Sequence, residues 1–305
     1  MMHLRRFLLL VLGLGLATTS SLGCSGASDS SSGPPPSPPP TVFTDLSGRT
    51  VELHVPGSYD PDALTPLVIL LHGYSATGMV QELYWKLKPE ADRRGVLYAH
   101  PDGTVDLQGA HFWNATEGCC DFSNSGVDDS AYLRALVEQI REHYAVDPKR
   151  IYFTGHSNGA FMSYRMACDH ADWVAAIAGL AGGMLADAEN CKASEPVHVL
   201  HIHGDQDALV QYEGSTTGGI EAPGARASAQ FWADRAGCET DPVTESPLEL
   251  APGVDGAETL VERWQGCGVG GSAELWTMRG VGHVPGFDDT YAPALFDYLL
   301  SHPKP

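Results

Sequence analysis

The segment Gly155-His156-Ser157-Asn158-Gly159 holds the residue types that an activated serine needs. G-x-S-x-G works as a sharp turn from strand to helix. Here a strand-like run at 150–154 precedes it, and a helical run at 158–168 follows. Small residues flank the serine because the turn crowds the backbone. Such a turn presents the Ser157 hydroxyl at the carboxyl edge of a sheet, and the helix aims its first N–H groups at the same point. A serine hydroxyl is a weak nucleophile without a base. In chain order, a carboxylate and then a histidine should follow. Of the 13 histidines, His283 has the right place, in Gly280-Val281-Gly282-His283 just after a predicted strand. His201 and His203 fall within or at the end of another predicted strand and read as structural. His302 lies in the C-terminal tail. The acid belongs to His203-Gly204-Asp205-Gln206-Asp207. Asp207 lies further into the loop, where its side chain can turn toward His283. Asp205 is the alternative, and its other role is to cap the turn.

A tetrahedral intermediate needs donors for its oxyanion. The residue after the serine, Asn158, offers one backbone N–H. The second is expected after an early strand, in Leu71-His72-Gly73-Tyr74-Ser75, with Tyr74 the first choice and Ser75 the next. Phe112 and Trp113 are candidates to line a cleft beside the site. Packing in the core is the competing role for both.

These residues need a scaffold. The run PLVILL at 66–71 reads as a strand buried on both faces, and 50–55 as a half-exposed edge strand. Further strands are predicted at 95–100, 150–154, 174–180, 197–203 and 275–278. Helical spacing marks 129–144, with Tyr132, Leu133, Leu136, Val137 and Ile140 on one face and Asp128 or Asp129 as cap. A closing helix is predicted at 291–300. This alternation specifies an α/β chain with a mostly parallel, doubly wound sheet flanked by helices in a single domain. Residues 241–257, rich in Pro, Gly and acidic side chains, read as a surface excursion.

The chain has 305 residues with 18 basic and 38 acidic side chains, a net charge of −20. That balance repels phosphate backbones and anionic headgroups, so no nucleic-acid partner is expected. Residues 1–23 read as an export signal: Arg5 and Arg6 precede a short apolar run and small residues. Cys24 then suits lipidation, although Ser21 stands where such signals usually carry Leu. Ordinary secretion is the alternative, so a membrane contact is expected only through a lipid at Cys24. Residues 24–41, nearly all Ser, Gly and Pro, form a tether, and 42–305 the domain. Six cysteines remain. Pairing Cys168 with Cys191 and Cys238 with Cys267 closes one loop each and leaves Cys119 and Cys120 as a vicinal pair, one of the fifteen connectivities six cysteines allow. No CxxC or His-Cys spacing marks a metal site, and no cofactor is expected.

Taken together, the motifs resemble the secreted polyhydroxybutyrate depolymerase-like and feruloyl esterases of the α/β-hydrolase superfamily. The resemblance spans most of residues 50–300. It rests on LLHGYSATG at 70–78, AHPDGT at 99–104, WNATEGCC at 113–120 and VDDSAYLRALV at 127–137. It continues in DPKRIYFTGHSNGAFMSYRMAC at 147–168, HIHGDQDALV at 201–210 and GVGHVPGF at 280–287. It implies an α/β-hydrolase fold with Ser157 as nucleophile, Asp207 as acid and His283 as base. It also implies an ester substrate: feruloyl or acetyl groups on plant-wall xylan, or a short aliphatic polyester such as polyhydroxybutyrate. One departure is plain. Such enzymes often carry Trp-Pro-Gly one residue after the histidine, whereas here Val284 is followed by Pro285-Gly286 without the Trp. Substrate specificity is therefore not carried over. A non-catalytic polysaccharide-binding lipoprotein is the reading from a different class, and a complete Ser, Asp, His set argues against it.

Overall fold

The apolar run at 66–71 lies inside a ten-stranded sheet in the computed structural model, which describes residues 38–215 and 222–305. The expected signal, Cys24 and all but the last four residues of the tether lie outside the described residues. In chain order the elements are β1 (Val42–Thr44), β2 (Thr50–His54), β3 (Thr65–Leu71), α1 (Gly78–Trp85), α2 (Leu87–Arg94), β4 (Leu97–Ala99), β5 (Thr104–Val105) and β6 (His111–Phe112). Then come α3 (Asp129–His143), β7 (Val146–His156), α4 (Asn158–Asp169), β8 (Ala176–Leu180), β9 (His198–Gly204), β10 (Gly214–Ser215) and β11 (Ala222–Pro223). The last are α5 (Ala225–Arg235), β12 (Val243–Thr244), β13 (Thr259–Arg263), β14 (Ser272–Met278) and α6 (Tyr291–Leu300).

The strand order is β1-β2-β4-β3-β7-β8-β9-β14-β13-β12. The six strands from β4 to β14 run parallel, and both edges are antiparallel. This is the α/β-hydrolase arrangement. β3 is buried at every residue, as a central parallel strand covered on both faces must be. Alternate residues feed two cores. Leu67, Ile69 and Phe153 pack with Leu133, Phe161 and Tyr164 of α3 and α4. Val68, Leu70 and Tyr152 face the other way, toward Trp85, Leu87, Phe296 and Leu299.

Helix α3 follows its sequence pattern. Asp128 accepts from the Ala131 N–H at 2.9 Å, and Tyr132, Leu133, Leu136, Val137 and Ile140 are buried. Several elements were not anticipated, among them α1, α2, α5, β13 and the short strands β1, β5, β6, β10, β11 and β12. The first two are one helical run broken at Lys86, whose φ of 53° is left-handed. The Glu82 carboxylate fills the break, accepting from the Leu87 and Lys88 N–H groups and from the Tyr98 hydroxyl. Helices of eight residues with four or three inward positions, three of the four in α1 being polar or glycine, leave too little apolar periodicity to read. The stretch 241–257 is a surface excursion only in part. Val243 and Thr244 are exposed, but Leu250 and Ala251 are buried, their N–H groups bound to the Glu258 carboxylate.

Three disulfides are present, in the pairing given above. Cys168–Cys191 ties the end of α4 to the segment before β9, and Cys238–Cys267 ties the segment after α5 to the β13–β14 connection. Cys119–Cys120 joins neighbours between β6 and α3. Among the described residues no helix is long and apolar enough to cross a membrane.

Candidate active site

β7 ends at His156, α4 begins at Asn158, and Ser157 alone makes the turn. Its φ of 54° and ψ of −118° are unfavourable for a residue with a side chain. Three backbone bonds hold it there. Its N–H donates to Leu180 O at 2.8 Å, and its carbonyl accepts from Ala160 and Phe161. The glycines of the motif are required by contact. A Cβ on Gly159 would lie 2.1 Å from Leu71 O, and one on Gly155 would lie 2.5 Å from the Gly159 backbone.

The structure brings Ser157, His283 and Asp207 into one line. His283 Nε2 lies 3.0 Å from Ser157 Oγ, and His283 Nδ1 lies 2.7 Å from Asp207 Oδ2. A carboxylate only accepts, so Nδ1 carries the hydrogen and Nε2 faces the hydroxyl with its lone pair. Asp207 has no exposed side-chain surface. Its Oδ1 accepts from the Leu209 and Val210 N–H groups at 2.8 and 2.9 Å. Burial pushes this carboxyl up, but hydrogen bonds from His203 and His283 outweigh that and hold it well below the usual range. Asp205 is elsewhere. Its Oδ1 accepts from the Gly280 N–H at 2.7 Å and pins the start of the His283 loop.

Tyr74 and Ser75, the two expected oxyanion donors, part company. The Ser75 N–H donates to His111 O at 2.8 Å. Among the described residues the Tyr74 and Asn158 N–H groups have no such acceptor. The loop sits against the elbow: a Cβ on Gly73 would lie 3.5 Å from Ser157 Cβ. His72, which the sequence reading passed over, orders this loop. Its Nε2 accepts from the Gly103 N–H at 2.9 Å, so its Nδ1 donates, to Gly73 O at 2.8 Å. The peptide group is planar, so fixing Gly73 C=O aims the Tyr74 N–H the opposite way. Burial pushes His72 down to about 4, keeping the ring neutral.

His156 was also passed over, although it lies inside the motif. Its Nε2 is 2.8 Å from His283 O, and as that oxygen only accepts, the ring donates to it. Burial, with His283 close by, pushes His156 down to about 4. A third residue, Tyr84, donates to Pro285 O at 2.6 Å and braces the other side of the loop.

Phe112 and Trp113 require a correction. They are 1% and 0% exposed and line no open cleft. Trp113 Nε1 donates to His72 O at 3.1 Å, and its backbone pairs with the Asn158 side chain. Their large apolar surface went to the core, beneath the site rather than beside it.

A family model described as Phospholipase/Carboxylesterase matches residues 59–217, and the chain belongs to that family. Its curated relatives include the putative esterase NocK of Nocardia uniformis subsp. tsuyamanensis, 30% identical over 181 residues. That match covers 58% of this chain and 51% of the relative. Feruloyl esterase B of Piromyces equi is 29% identical over 246 residues, covering 78% of this chain and 43% of the relative. The chain thus spans about half the length of these relatives. Among solved structures, the acetyl xylan esterase from Aspergillus awamori superposes with a TM-score of 0.60 at 15% identity, covering 85% of this chain and 97% of that one. At that identity the likeness concerns the fold.

Proposed function

We propose that this protein is a serine carboxylic-ester hydrolase that works through an acyl-enzyme and removes feruloyl or acetyl groups from plant-wall polysaccharide. The observation that carries the reading is the line Ser157–His283–Asp207, at 3.0 and 2.7 Å. In this reading Ser157 Oγ attacks the ester carbonyl carbon while His283 Nε2 takes its proton. Asp207 stabilises the imidazolium that results. The Tyr74 and Asn158 N–H groups receive the oxyanion, each such donor being worth about 3–4 kcal/mol. Collapse expels the alcohol, which takes the proton back from His283. Water then repeats the sequence and frees the acid. The names of the relatives, feruloyl esterase B among them, support the substrate class.

The domain plan belongs to the same proposal. Residues 1–23 direct export, Cys24 receives lipid, residues 24–41 tether, and 42–305 catalyse. Three disulfides support an oxidising compartment. The intact mass of the mature chain tests the anchor: an unmodified N-terminus would leave a freely secreted protein.

Ser157→Ala is expected to lower turnover of methyl ferulate by about 1,000-fold or more. Turnover like that of the unaltered protein would sink the serine mechanism. A panel of methyl ferulate, acetylated xylan and a hydroxybutyrate oligomer tests the substrate. Dominant release from the oligomer would replace the plant-wall reading and leave the serine chemistry intact.

A further inference from the structure

Asp207 has a second histidine behind it. His203 Nε2 lies 3.2 Å from Asp207 Oδ2, the same oxygen that His283 meets from the other side, and 2.8 Å from Val210 O. Both neighbours only accept, so Nε2 carries a hydrogen. A neutral ring then has its lone pair at Nδ1, 3.0 Å from His201 Nε2, which donates. That leaves the lone pair of His201 at Nδ1, 2.7 Å from the Tyr164 hydroxyl, which donates in turn. The order is therefore fixed: Tyr164 to His201, His201 to His203, and His203 to Val210 O, with Asp207 Oδ2 3.2 Å from the same nitrogen.

All three side chains are buried, at 0%, 0% and 1% exposure. Positions 201 and 203 lie on one face of β9, and their rings stack with centroids 5.2 Å apart. A buried imidazole is costly unless both nitrogens are bonded, and here both are. An apolar side chain would fill this layer of the sheet more simply. The polar rank ends at the carboxylate that faces His283.

We propose that His203, held in its tautomer by His201 and Tyr164, is a positioning residue that aims the Asp207 carboxylate at His283. This rests on the ester-hydrolase reading of the site. The Leu209 and Val210 N–H groups hold Oδ1 and His283 meets Oδ2, while the His203 N–H, bonded to Val210 O, also lies 3.2 Å from Oδ2 on the side away from His283. Without His203 the carboxylate keeps both donors on Oδ1 but loses the N–H opposite His283, which allows Oδ2 to shift. The titratable groups around His203 are His201 on its own strand, Asp207 from the next turn and Tyr212 edge-on. Across Asp207 lie His283 and His156.

The test compares two amides. His203→Gln keeps an N–H near the position of Nε2. His203→Asn reaches only the position of Nδ1, so it keeps the link to His201 and drops the donor to Asp207. Expected for His203→Asn is a fall in kcat of about 10- to 100-fold with little change in KM. Its low-field proton resonance from His283 Nδ1–H should move or broaden, and the acidic limb of the kcat/KM profile should shift. His203→Gln should recover most of all three. Equal kcat and an unmoved resonance in the two variants overturn the proposal. Ser157→Ala separates this from the parent reading: an active Ser157→Ala protein removes the mechanism itself, whereas an inactive one beside identical Asn and Gln variants removes only the role of His203. The resonance needs no turnover, so it reads the positioning directly.

Discussion

The Asn158 side chain pairs with the backbone of Trp113 as a strand would. The Trp113 N–H donates to Oδ1 at 2.7 Å, and Nδ2 donates to Trp113 O at 2.9 Å. The same nitrogen lies 3.5 Å from Cys119 Sγ. In the proposed mechanism Asn158 offers its backbone N–H to the oxyanion, while its side chain anchors the loop with the vicinal disulfide.

Asn158→Leu should expose the cost of that anchor. Trp113 O keeps bonds from Ala115 and Cys120, but the Trp113 N–H loses its acceptor. An orphaned buried donor costs about 1–3 kcal/mol. Denaturant unfolding should show a loss in this range. A variant as stable as the parent would mean that the pairing contributes nothing.

Gly159→Ala should damage both stability and turnover. The new Cβ would strike Leu71 O and His72 O, backbone atoms of β3 and the loop after it, at 2.1 and 2.7 Å. Relief requires the elbow to move away from β3, at about 1–3 kcal/mol or more. Gly57→Ala is the control, because nothing lies within 4 Å of its Cβ. Equal melting temperatures for the two variants would contradict the contact argument.

His72→Phe should lower kcat more than it raises KM. Phe removes both the donor to Gly73 O and the acceptor for the Gly103 N–H. The Tyr74 N–H then loses its aim, and a fall of about 10-fold is expected, part of the roughly 100- to 1,000-fold that deletion of a whole oxyanion donor costs. A change confined to KM would place His72 in ground-state binding.

Stability should fall as pH drops from 7 toward 4. Burial pushes His72 and His156 down to about 4, His198 to about 3, and His201 well below its ordinary value. Unfolded histidine titrates near 6.5. Between the folded and unfolded values the unfolded chain binds more protons, so stability rises with pH there and is fully present above about 6.5. Asp207, held low when folded, extends the loss in acid: its contribution is present above about 4 and fades as pH falls through its folded value. The net charge of −20 opposes both, since protonation relieves repulsion, and high salt suppresses that term. At high salt, denaturant unfolding at pH 7, 6 and 5 should show uptake of more than one proton. A flat profile would contradict the burial of these rings.

Much of this was legible because some residues answer to local rules. The elbow shows itself as two glycines flanking a serine within five positions, between a strand-like and a helical run. α3 announces itself through five apolar residues at helical spacing and an acidic cap. The Ser, Asp and His order follows from the sheet, whose strand ends lie side by side. What escaped the sequence is what depends on distant partners. Trp113 is as apolar on the page as a cleft residue would be, and its burial follows from Asn158, 45 positions away. His72, His156 and His203 look like any of 13 histidines until their second nitrogen finds a carbonyl or a carboxylate.

Ser157 and His283 lie 126 positions apart. Ser157 leaves β7, but His283 follows β14, which joins the sheet beside β9 near the end of the chain. Closing so long a loop must await the strands between them. In the proposed mechanism, a chain folded only through β9 and the turn that carries Asp207 holds a serine and a carboxylate without His283 between them. It is inert toward esters while it is being made, and hydrolysis begins only once the sheet is complete.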